Sequence, residues 1–279
     1  MALLGSMGPS VNSALLEWAE SAGVAIVGPY GGDVELRKRD AGVFLTANQS
    51  AEAERLSLHV TALGLTRVVI VHAGDRAGSA ALLALEEGLG VSNVAASALI
   101  AVRADGADAA NAAKAIAAAK PQAVLLATSG RTTIAMLKAM SSNQGGSKPL
   151  VQVYGLSSAA SQTELLELSS LARGFSMTQV LPLPKDTRVP MVATFLSAMR
   201  NAPGERTYAE LEGCVGVLLI ADVLRRKPAE ATRAGLIRAL RAAGKVNLGG
   251  FEIDLGDRSR PGSRFTDIVF VGADGRLVR

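Results

Sequence analysis

The residue types that do covalent or proton-transfer chemistry are scarce in this chain. His59 lies in a helix-period segment and His72 at the end of an apolar run. No serine or cysteine is spaced around either histidine as an activated nucleophile would be. Cys214 is the single cysteine and sits in the apolar run Glu212-Gly-Cys-Val-Gly-Val-Leu-Leu219, where it reads as a small buried hydrophobe. One cysteine and two histidines provide no metal-ligand spacing. Gly5-x-x-Gly8 and Gly28-Pro-Tyr-Gly-Gly32 follow strand-like runs, yet neither forms a dinucleotide fingerprint or a phosphate loop ending in Lys-Ser/Thr. The inventory points away from an enzyme and implies no metal and no cofactor.

What the chain offers instead is hydroxyl and backbone groups at turns. Gly8-Pro9-Ser10 follows the first apolar run and opens a helix, so the Ser10 hydroxyl and the free N–H groups of that first turn would suit a carboxylate. The plainer reading makes Ser10 an N-cap. Tyr30-Gly31-Gly32 ends the second run and leaves bare amides, as an ordinary strand-to-helix turn also would. Thr128-Ser129-Gly130 and Gly155-Leu156-Ser157-Ser158 each end a further run and present hydroxyls. Asp75, in Gly74-Asp75-Arg76, could add charge there or simply form an exposed pair with Arg76. Tyr208 and Glu212 are four apart and share one helix face, where the carboxylate could hold a ligand ammonium or merely meet solvent.

These turns need a scaffold, and the hydrophobic pattern supplies one. Apolar runs at 2–6, 24–29, 43–46, 67–72, 95–100, 123–128, 150–155 and 174–181 alternate with helix-period segments at 10–22, 51–63, 79–89, 107–119, 131–141 and 159–168. That alternation predicts an α/β protein with mostly parallel sheets flanked by helices. Ligands of such sheets bind at the carboxyl ends of the strands, where all of these turns fall. After Pro182-Leu183-Pro184 three helices follow in succession, at 189–201, 208–226 and 228–243, with Thr187 and Thr207 as N-caps of the first two. The runs 251–255 and 265–271 alternate like a hairpin or paired edge strands, and Gly272-Ala-Asp-Gly275 reads as a tight turn.

Composition narrows the partners. The 279 residues are 49% hydrophobic and 19% charged, which excludes a disordered chain and leaves room for two domains. Net charge is +4, from 29 basic and 25 acidic residues. The densest basic clusters, Arg37-Lys38-Arg39 and Arg225-Arg226-Lys227, fall where helices end and suit the helix dipole. With aromatics at 4%, no basic, stacking face for nucleic acid is present. No apolar run reaches the ~18–20 residues of a membrane span, so no stable membrane insertion is expected. Residues 1–9 carry no basic leader segment and too short an apolar stretch, so no signal peptide is expected within this stretch as written.

The order of these turns carries a resemblance. Ala2-Leu-Leu-Gly-Ser-Met-Gly-Pro-Ser10 followed by Glu20-Ser-Ala-Gly-Val-Ala-Ile-Val-Gly-Pro29 resembles the opening passage of the periplasmic substrate-binding proteins of branched-chain amino-acid ABC transporters. These have the type I periplasmic-binding-protein fold. Arg67-Val-Val-Ile-Val-His72, Pro121-Gln-Ala-Val-Leu-Leu126, Leu211-Glu-Gly213, Gly249-Gly-Phe251, Gly262-Ser-Arg-Phe265 and Gly272-Ala-Asp-Gly-Arg276 match by position and type, so the resemblance spans the chain.

It implies two lobes joined by three crossovers, with ligand trapped in the cleft by hinge closure. Residues 1–47 plus 184–250 would form lobe one, truncated at its N-terminus, and 48–183 plus 251–279 lobe two. The family's carboxylate-binding serine falls at or beside Pro9-Ser10, and its second backbone loop at Tyr30-Gly31-Gly32. The other lobe's contacts fall near Asp75, Ser129 and Leu156-Ser157. Ala77 and Ser129 stand where relatives carry aromatic residues, which implies a smaller or more polar ligand, and Arg76 favours an acidic one. The implied partners are a small-molecule ligand, an amino acid or carboxylate, and an ABC transporter membrane permease; the implied location of the full-length protein is periplasmic. A cytoplasmic ligand-sensing domain of the same fold and a non-functional remnant are the alternatives.

Overall fold

The computed structural model describes all residues except 1, 7, 31–35, 144–150, 228–231 and 258–260, and among the described residues all side chains except those of 9, 10 and 143. The chain opens with β1 (Ala2–Leu4), α1 (Pro9–Ala22), β2 (Ala25–Val27), a 3-10 turn at Leu36–Lys38, and β3 (Gly42–Val43). A second stretch runs α2 (Gln49–Ala62), β4 (Val68–Ala73), α3 (Arg76–Val91), β5 (Ala96–Val102), α4 (Ala109–Ala119), β6 (Ala123–Ala127), α5 (Gly130–Asn143), β7 (Gln152–Gly155), α6 (Gln162–Leu168) and β8 (Ser176–Gln179). Then come α7 (Pro190–Ala198), α8 (Tyr208–Arg226), α9 (Arg233–Arg241), β9 (Lys245–Asn247) and β10 (Glu252–Asp254), and last β11 (Asp267–Val271) and β12 (Leu277–Val278). Two compact units result: Met1–Asn48 with Val180–Phe265, and Gln49–Gln179 with Thr266–Arg279. The chain therefore passes from one unit to the other three times. Residues 251–265, which the sequence grouped with the second lobe, fall in the first unit.

In the first unit β1, β2 and β3 pair in that order, all parallel. The helix between β1 and β2 is set by local chemistry: Pro9 occupies its first turn, and Gly23 closes it with a left-handed φ of 62°. Gly8, not Ser10, is its N-cap. Helices α7, α8 and α9 bring Phe195, Leu211, Val215, Leu219, Leu236 and Leu240 into a core with Ala25 and Val27. Thr207 caps α8 as expected, in a reciprocal pair with Glu210. Thr187 does not cap α7; Val189 holds that place and Pro190 starts the helix.

The second unit is one seven-stranded sheet in the order β12-β11-β8-β7-β6-β4-β5. Strands β5, β4, β6, β7 and β8 are parallel, whereas β11 runs antiparallel to β8 and to β12. Position in the sheet decides which residues each strand needs. Central β4 and β6 are apolar at almost every residue because helices cover both faces, while the edge strand β5 alternates between half-buried and exposed. The anticipated pairing of 251–255 with 265–271 does not form. Glu252–Asp254 pairs with Lys245–Asn247 across a turn where Gly249 and Gly250 take positive φ, and Asp267–Val271 joins the other sheet.

A basic residue read as a helix-end cation has another place. Arg37 is buried, donates to the carbonyl oxygens of Thr46 at 2.9 Å and Ala47 at 2.7 Å, and lies 4.9 Å from the centre of the Phe44 ring. It braces the segment just before the chain first leaves this unit.

His59 on α2 stacks edge-on against Tyr154 of β7, with ring centroids 5.7 Å apart. Burial first, and the neighbouring Arg55 cation second, hold its pKa below the ordinary 6.5. The unfolded chain therefore takes up this proton before the folded one. The contribution is intact above about pH 6.5 and is lost as pH falls from there toward the lower folded-state value. Urea unfolding of the wild type should show that decline between pH 7.5 and 5.5, and His59→Gln should flatten it.

Candidate functional site

In parallel α/β sheets the turns leaving the carboxyl ends of neighbouring strands sit side by side, and the candidate residues fall there in each unit. In the first unit β1 and β2 are adjacent, so the turns after Leu4 and after Val27 meet. The Tyr30 N–H donates to the Ser6 carbonyl at 2.7 Å, and the Asn12 side-chain amide donates to the Tyr30 carbonyl at 2.8 Å. The start of α1 is thereby clamped to the Tyr30 turn. Pro9 and Ser10 form the first turn of that helix, which has neither a side-chain cap nor an acidic residue in its first turn. No acidic side chain of the helix's own first turn offsets its dipole or its open N–H groups. The Ser10 side chain lies outside the described ones, and Gly31 and Gly32 lie outside the described residues.

Among the described residues, the Ser6 hydroxyl and the Asn12 amide oxygen of this turn pair are buried without a hydrogen-bond partner. Such atoms carry a desolvation cost that a ligand or water removes by bonding to them. Neither residue was singled out from sequence. Asn12 shows no signal there, because its partner is 18 positions away and an asparagine within a helix reads as surface.

Helix α8 covers the ends of the same strands. A methyl on Gly216 would meet the Leu4 side chain at 3.0 Å and that of Val27 at 3.7 Å, so the helix lies close against both strands. Glu212, one turn earlier, is buried, and Tyr208 packs partly against the first unit's core.

In the second unit the turns after β4, β6 and β7 are neighbours through the strand order. Asp75 is exposed and its carboxylate accepts the Gly78 N–H at 2.7 Å as the N-cap of α3. Ser129 is exposed beside Gly130, whose N–H donates to the Ala159 carbonyl at 2.8 Å and so joins two of the turns. The Leu156 side chain belongs to the hydrophobic core, leaving only its backbone to face outward. Ser157 is buried, with its N–H donated to Glu52. Next to the Gly74 turn a groove of about 550 Å³ is lined by Gly74, Val102, Arg103, Ala104, Asp105 and Asp108. The Ala107 N–H and then the Arg103 cation hold the Asp105 carboxyl below its usual range, which keeps an anion on that rim.

These loops offer amides, hydroxyls and fixed charges, the equipment of a solute-binding α/β protein. The chain belongs to the periplasmic binding protein family, whose description matches residues 1–276. Comparison with curated proteins finds no match. Among solved structures it is similar to an extracellular ligand-binding receptor from Verminephrobacter eiseniae, at 25% identity and a TM-score of 0.86, covering 100% of this chain and 80% of that one. It is also similar to a possible leucine/isoleucine/valine-binding protein from Rhodopirellula baltica, at 20% identity, TM-score 0.86, and 100% and 77% coverage. An ABC transporter substrate-binding protein from Desulfitobacterium hafniense in complex with Leu matches at 15% identity, TM-score 0.79, and 99% and 79% coverage. The expected type I fold is thus the one found. Family membership carries a solute-binding role and an extracytoplasmic location. Among the described residues no helix is long and apolar enough to cross a membrane.

Proposed function

We propose that this protein is the solute receptor of an ABC transporter, binding an amino acid or a small carboxylate and presenting it to the membrane permease from the periplasmic side. The observation that carries the reading is the clamped turn pair of the first unit. There an uncapped helix N-terminus adjoins the buried, unpartnered Ser6 hydroxyl and Asn12 amide oxygen. On this reading the first turn of α1, with Pro9, Ser10 and the Tyr30-Gly31-Gly32 amides, takes the carboxylate, and Glu212 beside Tyr208 takes an ammonium. In the second unit, taken by itself, Asp75, Ser129 and the Leu156-Ser157 backbone are the candidate ligand contacts. Two of the similar structures, one described as a possible leucine/isoleucine/valine-binding protein and one determined in complex with Leu, support the choice of class.

Thermal unfolding against branched-chain amino acids and aliphatic and aromatic carboxylates tests it. A ligand that binds only the folded state adds about 2.7 kcal/mol at a hundredfold excess over Kd. A dose-dependent rise in Tm with one of these classes is expected. A cooperative melt that no compound moves at millimolar concentration would overturn the reading.

A further inference from the structure

Glu52 is a buried carboxylate that the proposed function leaves unused. It lies in the first turn of α2 and is 2% exposed. Its Oε2 accepts two hydrogen bonds, from the Ser157 backbone N–H at 2.7 Å and from the Thr178 hydroxyl at 2.5 Å. The two donors stand 105 and 126 positions away in the chain. Each occupies a telling place. Ser157 is in the turn that ends β7, among the candidate ligand contacts. Thr178 is the residue before Gln179, where the chain leaves the second unit, and Glu52 itself follows closely on Gln49, where the chain enters it. One oxygen therefore ties a binding turn to both of these passages of the chain.

A carboxylate removed from water is tolerated where donors converge on it, and bonds to a charged acceptor are shorter and stronger than neutral ones. Here the amide it holds belongs to a turn that is also closed by the Ala159 N–H on the Leu156 carbonyl at 2.9 Å, and the carboxylate fixes that turn to α2 and β8. We infer that Glu52 is a positioning residue for ligand binding, which fixes the Leu156-Ser157 turn in its receptive geometry before the ligand arrives. The inference rests on the reading of that turn as part of the binding site. Holding it in advance removes an ordering cost from association, so losing Glu52 weakens binding without removing any ligand contact.

The test is amide exchange of the full-length 15N-labelled chain, with L-leucine titration as a second readout. Both bonds end on one oxygen, so Glu52→Gln can reproduce them with its amide oxygen, whereas Glu52→Met has similar bulk and no acceptor of that kind. In Glu52→Met the Ser157 amide should exchange about 10- to 100-fold faster while the amides of β4 and β6 keep their protection. Glu52→Gln should stay near wild type. L-leucine affinity should fall about tenfold or more in Glu52→Met and return in Glu52→Gln. Should Glu52→Met not fold, Glu52→Asp withdraws the acceptor by one methylene and should free Ser157 in the same selective way. Unchanged Ser157 exchange, equal acceleration across β4, β6 and Ser157, or a Glu52→Gln protein that behaves like Glu52→Met would each overturn the inference. If wild type does not bind L-leucine, the binding-site reading loses support, while the exchange pattern still decides whether Glu52 holds the turn.

Discussion

Phe251→Ala should lower the stability of the first unit by about 3–5 kcal/mol and leave the second unit's stability unchanged. Phe251 is 1% exposed and packs in the core that contains Met191, Phe195, Val246, Leu248 and Ile253. Its ring meets that of Phe265 edge-on, with centroids 6.2 Å apart. Truncation removes a large buried ring and leaves a cavity bounded by short strands and helices that cannot easily close around it. The chain has one tryptophan, Trp18 on α1 of the first unit, so its fluorescence in urea reports that unit. Amide exchange along β4 reports the other. A loss of protection in β4 equal to the change at Trp18 would show that Phe251 serves the second unit after all, or that the two units unfold together.

Gly78→Ala should destabilise the second unit by about 3 kcal/mol, at the upper end of the cost of overpacking. A methyl at this first-turn position of α3 would sit 2.8 Å from the carbonyl carbon of Ala73 and 2.8 Å from its Cβ. Those atoms belong to the end of β4, a central strand that cannot shift without breaking two ladders. The Gly78 N–H is also the donor to the Asp75 carboxylate, so the turn presenting Asp75 would be displaced at the same time. Gly90→Ala, in the same helix, provides the opposite sign. Nothing lies within 4 Å of its added methyl, and the substitution should stabilise by up to about 1 kcal/mol through the unfolded chain. Denaturant midpoints of the two variants check the pair. A Gly78→Ala protein as stable as wild type would mean that α3 and β4 are not packed as closely as described.

The parts of the fold that were legible in the sequence are those governed by local rules. The apolar runs around Val68–Ala73 and Ala123–Ala127 read as strands covered on both faces, and Thr207 read as the N-cap of the helix that follows it. What escaped depends on partners distant in sequence or on elements too short to show a period. β9 and β10 are three residues each, so the hairpin through Gly249 and Gly250 left no alternation to read, and the runs on either side of 258–260 looked like each other's partners. The same holds for the site. The turns could be placed from the glycines and hydroxyls that end each strand. Asn12, Arg37 and Glu52, which hold turns and chain passages in position, are single polar residues whose roles exist only through tertiary contacts.

On the proposed function the first turn of α1 and the Tyr30 turn receive a carboxylate. The direct measurement is calorimetric titration of the protein with L-leucine and, in parallel, with L-leucinamide, which differs only at that group. L-leucine should bind saturably and the amide should lose about 2 kcal/mol or more, because the helix N–H groups and hydroxyls would face a neutral group instead of an anion. Equal affinity for acid and amide would contradict it.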